Sequence, residues 1–363
     1  MKKRLLKVLL LVCTASFLAA GCGSSGDSGD TTDTGYAKEI YLYNWTEYMS
    51  SDVLDQFEEE YGIKVVESTY ESNDEMLAKL LVAPAGEYDI AVPSNFYIKA
   101  MLENDLLEPY DEGAITNLDN IYDDYLDPDY DPGNEYTVPY MGTVALTIGN
   151  TKMLDSLGVE VNKVTDLLNP ALKDNVIITD DTEGIITLAL EGLGYDPLTQ
   201  DLDKIYETKD FLLQLNDNIK SYSQIADGRT MLARNEVAVG QVYGGDAVQA
   251  MNENEDLSIV MNDEKISLSV DTFVLLKGSE HKEEAQLFID FLLRPEISAQ
   301  LLTDFPFVCC NEAAVAELPE ELASNPACVL DDSMKSRLFF IDSKDAETMS
   351  AMVDVVTEVK SAK

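Results

Sequence analysis

The sequence predicts an α/β protein large enough for two lobes, and three observations carry that prediction. Between Ile40 and Val92, apolar segments alternate as strand, helix, strand, helix, strand, which calls for right-handed crossovers and a largely parallel sheet. From about Tyr36 onward the chain is long enough for two sizeable cores. Several of the strands then end in aromatic and acidic residues, where open α/β sheets bind ligands.

The elements follow in order. Lys2-Lys3-Arg4 and Lys7 accompany a short apolar run, Leu5 to Ala20, that ends in Leu18-Ala19-Ala20-Gly21-Cys22. A basic start, a short apolar stretch and small residues before a cleavage point predict a secretory signal over residues 1–21 rather than a membrane span. The small-small-Gly-Cys ending matches a bacterial lipobox, with Ala19 where Leu is commoner, so Cys22 is expected to become the acylated first residue. Residues 22–35 lack any apolar side chain after Cys22 and read as a solvated tether. Together they predict a lipid-anchored protein at the extracellular face of the cytoplasmic membrane or in the periplasm.

Ile40–Tyr43 is the first strand, and Ser50–Tyr61 has helical spacing at Val53, Leu54, Phe57 and Tyr61 before Gly62. Ile63–Val66 begins a second strand, Asn73–Val82 a second helix, and Tyr88–Val92 a third strand stopped by Pro93-Ser94. The polar stretch Asp105–Glu135 reads as loop, after which Tyr136–Val138 and Val144–Gly149 resume strand character. Val176–Thr179, Glu236–Tyr243 and Leu268–Leu276 are further strands, and helices are expected over Ile185–Leu193 and His281–Leu293, the latter ended by Arg294-Pro295.

The formal charge is −43, and removal of residues 1–21, with four basic and no acidic side chains, takes it to −47. Such an acidic body disfavours nucleic acid and anionic headgroups as partners. Cys309, Cys310 and Cys328 remain after Cys13 and Cys22 are set aside, which leaves open one disulfide from Cys328 with one free thiol, or three free thiols. No metal or cofactor is expected. In Asp127–Gly133, Pro132 takes the place of the turn glycine of a calcium loop, and the one histidine, His281, starts an amphipathic helix. A solvated loop is the expected state of the 127–133 stretch.

The first strand runs into Tyr43-Asn44-Trp45-Thr46-Glu47-Tyr48, with the only tryptophan of the chain beside a carboxylate. Aromatic faces attract ammonium groups, and carboxylates fix cations through charge-assisted hydrogen bonds. Ser94 and Phe96 follow the third strand, Asp181 and Glu183 follow Thr179, and Tyr243 leads to Asp246. Asp271 lies within an apolar strand, where an unpaired carboxylate is costly. The plainer readings make Asp181 and Asp246 helix N-caps and give Asp271 a distant Lys or Arg partner.

Tyr43–Tyr48, Gly62-Ile63-Lys64-Val65, Ser68–Asn73 and Tyr88–Ser94 resemble the spermidine/putrescine-binding proteins of ABC importers. Val138-Pro139-Tyr140, Thr179-Asp180-Asp181 and Phe291–Glu296 extend the resemblance to most of the body. It implies a type II periplasmic-binding-protein fold, each lobe a mixed, mostly parallel sheet flanked by helices, with the ligand in the cleft between lobes. The implied division is a first lobe over 36–143, a second over 144–268, a return to the first over 269–308, and a C-terminal helical segment over 309–363 packing across both. The hinge would be crossed near Gly142–Ala145 and Ser267–Val270.

Carried over position by position, the resemblance puts Trp45, Thr46, Glu47, Tyr48, Ser94 and Phe96 on the first lobe. It puts Asp181 and Tyr243 on the second and Asp271 near the crossing, with Asp246 matching an aspartate of putrescine-preferring members. Gly184 occupies the place of a glutamate found in spermidine-binding members, with Glu183 one residue early, so the choice of polyamine stays open. The implied function is a monomeric, non-enzymatic binding protein that captures putrescine or spermidine and passes it to a permease and its ATPase subunits. The alternatives are another cationic metabolite or an amino-acid derivative in the same fold and, more remotely, a secreted hydrolase. Trp45→Ala is expected to weaken binding and leave the fold intact.

Overall fold

A computed structural model describes residues 35–261 and 265–363. The predicted signal, Cys22 and nearly all of the tether lie outside these residues. Among the described residues the strands are β1 (Glu39–Trp45), β2 (Lys64–Tyr70), β3 (Ile90–Ala91), β4 (Leu107–Glu108), β5 (Val138–Asn150) and β6 (Val176–Thr179). The remainder are β7 (Ile219–Ser223), β8 (Val239–Tyr243), β9 (Leu257–Ile259), β10 (Ile266–Leu276), β11 (Val308–Cys309) and β12 (Leu338–Phe340).

Eight of them join in one path, β2-β1-β3-β10-β5-β8-β6-β7, with β9 and β11 paired to β5 and β4 and β12 paired to β10. Parallel ladders lie toward its two ends, β1 with β2 and β3, and β6 with β7 and β8. Antiparallel ladders occupy the middle, where the long strands β5 and β10 lie side by side. The strand–helix alternation at the start of the body is as read: helices Ser51–Tyr61 and Asn73–Leu80 connect β1 to β2 and β2 to β3. Gly62 closes the first helix at φ 70°, a left-handed conformation with no Cβ penalty for glycine, and the Ser72 side chain caps the second by accepting from Glu75 N–H.

The strand expected as two pieces, Tyr136–Val138 and Val144–Gly149, is one strand, β5. Pro139 and Gly142 look like breaks in sequence, but the pairing accommodates both. Register slips between Asp271 and Thr272, which face Met141 and Pro139, so Tyr140 is the extra residue of a bulge. A Cβ on Gly142 would come within 3.1 Å of both Leu268 and Val308, because this residue is flanked by β10 on one side and β11 on the other. A third segment, β11, therefore lies beside the two expected crossings.

One apolar cluster lies under the β1–β3 end and includes Tyr70, Met76, Ile98 and Met101. Another fills the β6–β8 end with Ile178, Ile186, Leu212 and Met352. The largest runs through β5 and β10 and includes both Leu42 and Ile177. The C-terminal segment is not wholly helical: β12 pairs in parallel with β10. Beyond it, helix Ala346–Ser361 packs on helix Leu202–Leu215, with Lys360 paired to Asp180 at 2.5 Å. Cys309, Cys310 and Cys328 are free and buried, so the structure has the three-thiol arrangement, with Cys309 N–H donating to Cys328 O at 2.8 Å. Burial pushes the Cys309 and Cys328 thiols up to about 12. In the 127–133 loop Asp131 is buried, not solvated; its carboxylate accepts from Glu135, Tyr136 and Thr137 N–H.

Candidate functional site

The site is built outward from Asp271, on β10 opposite the bulge of β5. This residue is 5% exposed. Its Oδ1 accepts from Ser94 Oγ at 2.6 Å and its Oδ2 from Tyr48 Oη at 2.7 Å. Each donor is itself fixed. Asn73 holds Ser94 twice, through Nδ2 to Oγ at 3.0 Å and Oδ1 from the backbone N–H at 3.1 Å. Tyr48 packs edge-on against Tyr140 and Phe307, and Tyr140 Oη donates to the Tyr48 carbonyl at 2.7 Å. The Pro93–Asn95 segment is pinned to β10 by Thr272 N–H to Pro93 O at 2.9 Å and Val270 N–H to Asn95 Oδ1 at 3.0 Å. Among the described residues no basic side chain pairs with Asp271. Burial lifts its carboxyl to about 6, against the opposing pull of the Ser94 and Tyr48 hydroxyls. The distant Lys or Arg partner allowed by the sequence is thus absent from its described surroundings.

Asp181 and Tyr243 approach from the ends of β6 and β8. Asp181 is the N-cap of helix Thr182–Gly192, accepting from Gly184 N–H at 2.6 Å, so the plainer reading of this residue holds. Tyr243 is buried beside this carboxylate, and the charges of Asp181, Asp271 and Asp246 all act on its hydroxyl. Tyr243 therefore ties the two halves of the candidate site into one neighbourhood. Burial raises the Asp181 carboxyl above its usual range.

Asp246 and Glu183 differ from expectation, because tertiary structure brings each a cation. Asp246 is not an N-cap; it is buried in the first turn of helix Gly244–Glu253 and pairs with Arg229 at 3.2 Å. Burial lifts it to about 6, opposed by Arg229 and assisted by the charge of Glu47. Glu183 pairs with Lys344 at 3.1 Å, their side chains 12% and 3% exposed. A buried carboxylate left unpaired carries a large desolvation cost, and both ion pairs offset it. Sequence reading missed Arg229 and Lys344, since neither is adjacent in the chain to the acid it meets.

On the first half, Trp45 is half-buried, donates through Nε1 to Val92 O at 2.9 Å and tilts over Tyr70. Thr46 and Glu47 are exposed, and Glu47 adopts a left-handed φ of 54°, unfavourable for a side chain with a Cβ. Phe96 is half-buried and stacks edge-on against Tyr97. Tyr97, not singled out in sequence, donates to Asp74 at 2.5 Å and feels the charges of Asp181 and Glu183, so it faces the second half. Phe307 was also missed: it touches Tyr48, and a Cβ at Gly245 would meet its ring at 3.2 Å. Its nearest sequence signal was the aromatic repeat Phe305-Pro306-Phe307.

His281 lies elsewhere, its Nδ1 3.2 Å from Asp89, while Ser279 Oγ donates to Asp89 at 2.6 Å rather than to the imidazole. Tyr41 N–H donates to the same carboxylate, which identifies a structural pin on β1.

Buried carboxylates with hydroxyl donors, aromatic faces and, among the described residues, no basic partner for Asp271 suit a compact organic cation. Such a ligand binds the ionised form of Asp271, so its affinity is expected to fall as pH drops through about 6. A group that must lose a proton to bind the ligand costs roughly tenfold per pH unit below that point. Calorimetry at pH 7.5 and pH 5, in two buffers that differ in ionisation heat, checks both the weakening and the proton release on binding.

Residues 52–329 match the model of the bacterial extracellular solute-binding protein family. The chain is 32% identical over 309 residues to the spermidine/putrescine-binding periplasmic protein of Escherichia coli K12, covering 85% of this chain and 87% of that protein. It is 28% identical over 379 residues to the putrescine-binding periplasmic protein SpuD of Pseudomonas aeruginosa, with both chains covered fully. Among solved structures, the spermidine/putrescine ABC transporter substrate-binding protein PotD of Streptococcus pneumoniae superposes with a TM-score of 0.78 at 29% identity, covering 90% of this chain and 99% of that one.

Proposed function

Because this chain belongs to the bacterial extracellular solute-binding protein family, we propose that it captures polyamines for an ABC importer. The observation that carries the ligand class is Asp271, a buried carboxylate held by two hydroxyls with no cation beside it among the described residues. An ammonium group supplies the missing charge. A second ammonium is met by Asp181, next to Tyr243. Trp45, Tyr48 and Tyr97 supply aromatic surface for the methylenes, each cation–π contact contributing about 0.5–2 kcal/mol. The names of the relatives support the same class.

In this reading the two halves are lobes that close on the ligand, with the hinge where β5, β10 and β11 lie side by side around Gly142. The lobes are 36–143 with 269–308, and 144–268, and the 309–363 segment spans them. Thr46, Glu47 and Ser94 border the ligand, with Phe96 behind Tyr97. The loaded protein docks on a membrane permease with its ATPase subunits. It works outside the cytoplasmic membrane as a monomer held by an acylated Cys22.

A thermal-shift panel of putrescine, cadaverine, spermidine and a neutral amino acid tests the reading. At a hundredfold excess over Kd, a bound amine contributes about 2.7 kcal/mol of stabilisation, and the neutral amino acid contributes none. Absence of any shift or binding heat with all three amines would sink the polyamine assignment. A shift with the amino acid alone would favour the alternative ligand class.

A further inference from the structure

The buried Lys344–Glu183 pair has no role in the function as stated, and it sits beside Asp181. Lys344 is 3% exposed, its Nζ lies 3.1 Å from Glu183, and Glu183 and Asp181 are close enough for their charges to interact. We propose that Lys344 is a specificity-determining residue that neutralises Glu183 and so sets this site to take a diamine in preference to a triamine.

The inference rests on the polyamine reading and follows from matching charges. Two of the inward carboxylates already carry a cation, Asp246 from Arg229 and Glu183 from Lys344. Those left to a ligand are Asp271 and Asp181, with Glu47 exposed at the rim. Two carboxylates suit two ammonium groups. A third ammonium reaching past Asp181 would approach Glu183, whose negative charge is already met by Lys344. Bringing a cation there means either displacing a buried ammonium or burying like charges together, and both oppose binding. A lysine suits this task because its compact charge answers one carboxylate at one point. The pairing also gives Lys344 a reason to be buried at all, since an isolated lysine would be strongly disfavoured there.

Titration calorimetry with putrescine and spermidine on the wild type, Lys344→Gln, Glu183→Gln and the double variant Glu183→Gln/Lys344→Met tests the proposal. Wild type is expected to bind the diamine more tightly. Lys344→Gln exposes the Glu183 charge to the ligand and shifts the spermidine-to-putrescine affinity ratio toward spermidine by about tenfold. Glu183→Gln leaves Lys344 uncompensated and shifts the ratio the opposite way, which gives a second readout should Lys344→Gln not fold. The neutral double variant loses the gain for spermidine. An unchanged ratio in both single variants overturns the proposal, as does a wild type that prefers spermidine or a gain that persists in the double variant. A wild type that binds neither amine instead overturns the polyamine reading, so the two failures are distinct.

Discussion

Asp271→Asn is expected to weaken amine binding at least about thirtyfold while raising the melting temperature of the ligand-free protein at pH 7.5. The binding loss follows from removing one partner of a buried charge pair, which costs roughly 2–5 kcal/mol. The stability gain follows from the raised carboxyl. With a folded value of about 6 against an ordinary 3.8, Asp271 contributes stability that is fully present below about pH 4 and lost as pH rises through 6. At pH 7.5 the ionised group therefore destabilises the empty protein, by an amount on the order of 3 kcal/mol, part of which a neutral amide recovers. The Ser94 hydroxyl can still donate to the amide oxygen, and Tyr48 can accept from the amide nitrogen. A variant that binds putrescine as the wild type does would return Asp271 to a structural role. A fall in melting temperature at pH 7.5 would show that the carboxylate is not strained in the empty protein.

Trp45→Ala is expected to weaken amine binding by roughly tenfold, the cost of one cation–π contact with its methylene packing. The structure changes the other half of this expectation. Trp45 Nε1 and Tyr70 Oη both donate to the Val92 carbonyl, at 2.9 and 2.6 Å, and the two rings lie 4.7 Å apart. The indole thus holds the end of β1 against the end of β3, and its loss should also destabilise the fold by about 1–3 kcal/mol. Trp45→Phe separates the effects, keeping an aromatic face without the N–H: affinity should stay within about threefold of wild type while the melting temperature drops. Denaturation and calorimetry on both variants check this. Equal affinity in all three proteins would confine Trp45 to its structural contact.

The alternating elements of the first hundred body residues were legible because each is short, locally patterned and joined by a clear stop such as Gly62 or Pro93. Asp271 was legible because one carboxylate inside an apolar strand is an energetic anomaly in any fold. The union of two strand pieces into β5 was not. Pro139 and Gly142 look like breaks until β10 and β11 lie beside them and a bulge absorbs the irregularity.

The sequence by itself determined the succession of strands and helices at the start of the body and the chemistry gathered at the strand ends, since hydrophobic period and residue type are local properties. It also singled out the carboxylates. Which of them remain for a cation was decided only by the tertiary structure. Lys344 reaches Glu183 from the C-terminal segment, and Arg229 reaches Asp246 from a neighbouring helix. Charge compensation acts through space and burial, so the same acidic residues stand paired or open according to how distant segments pack.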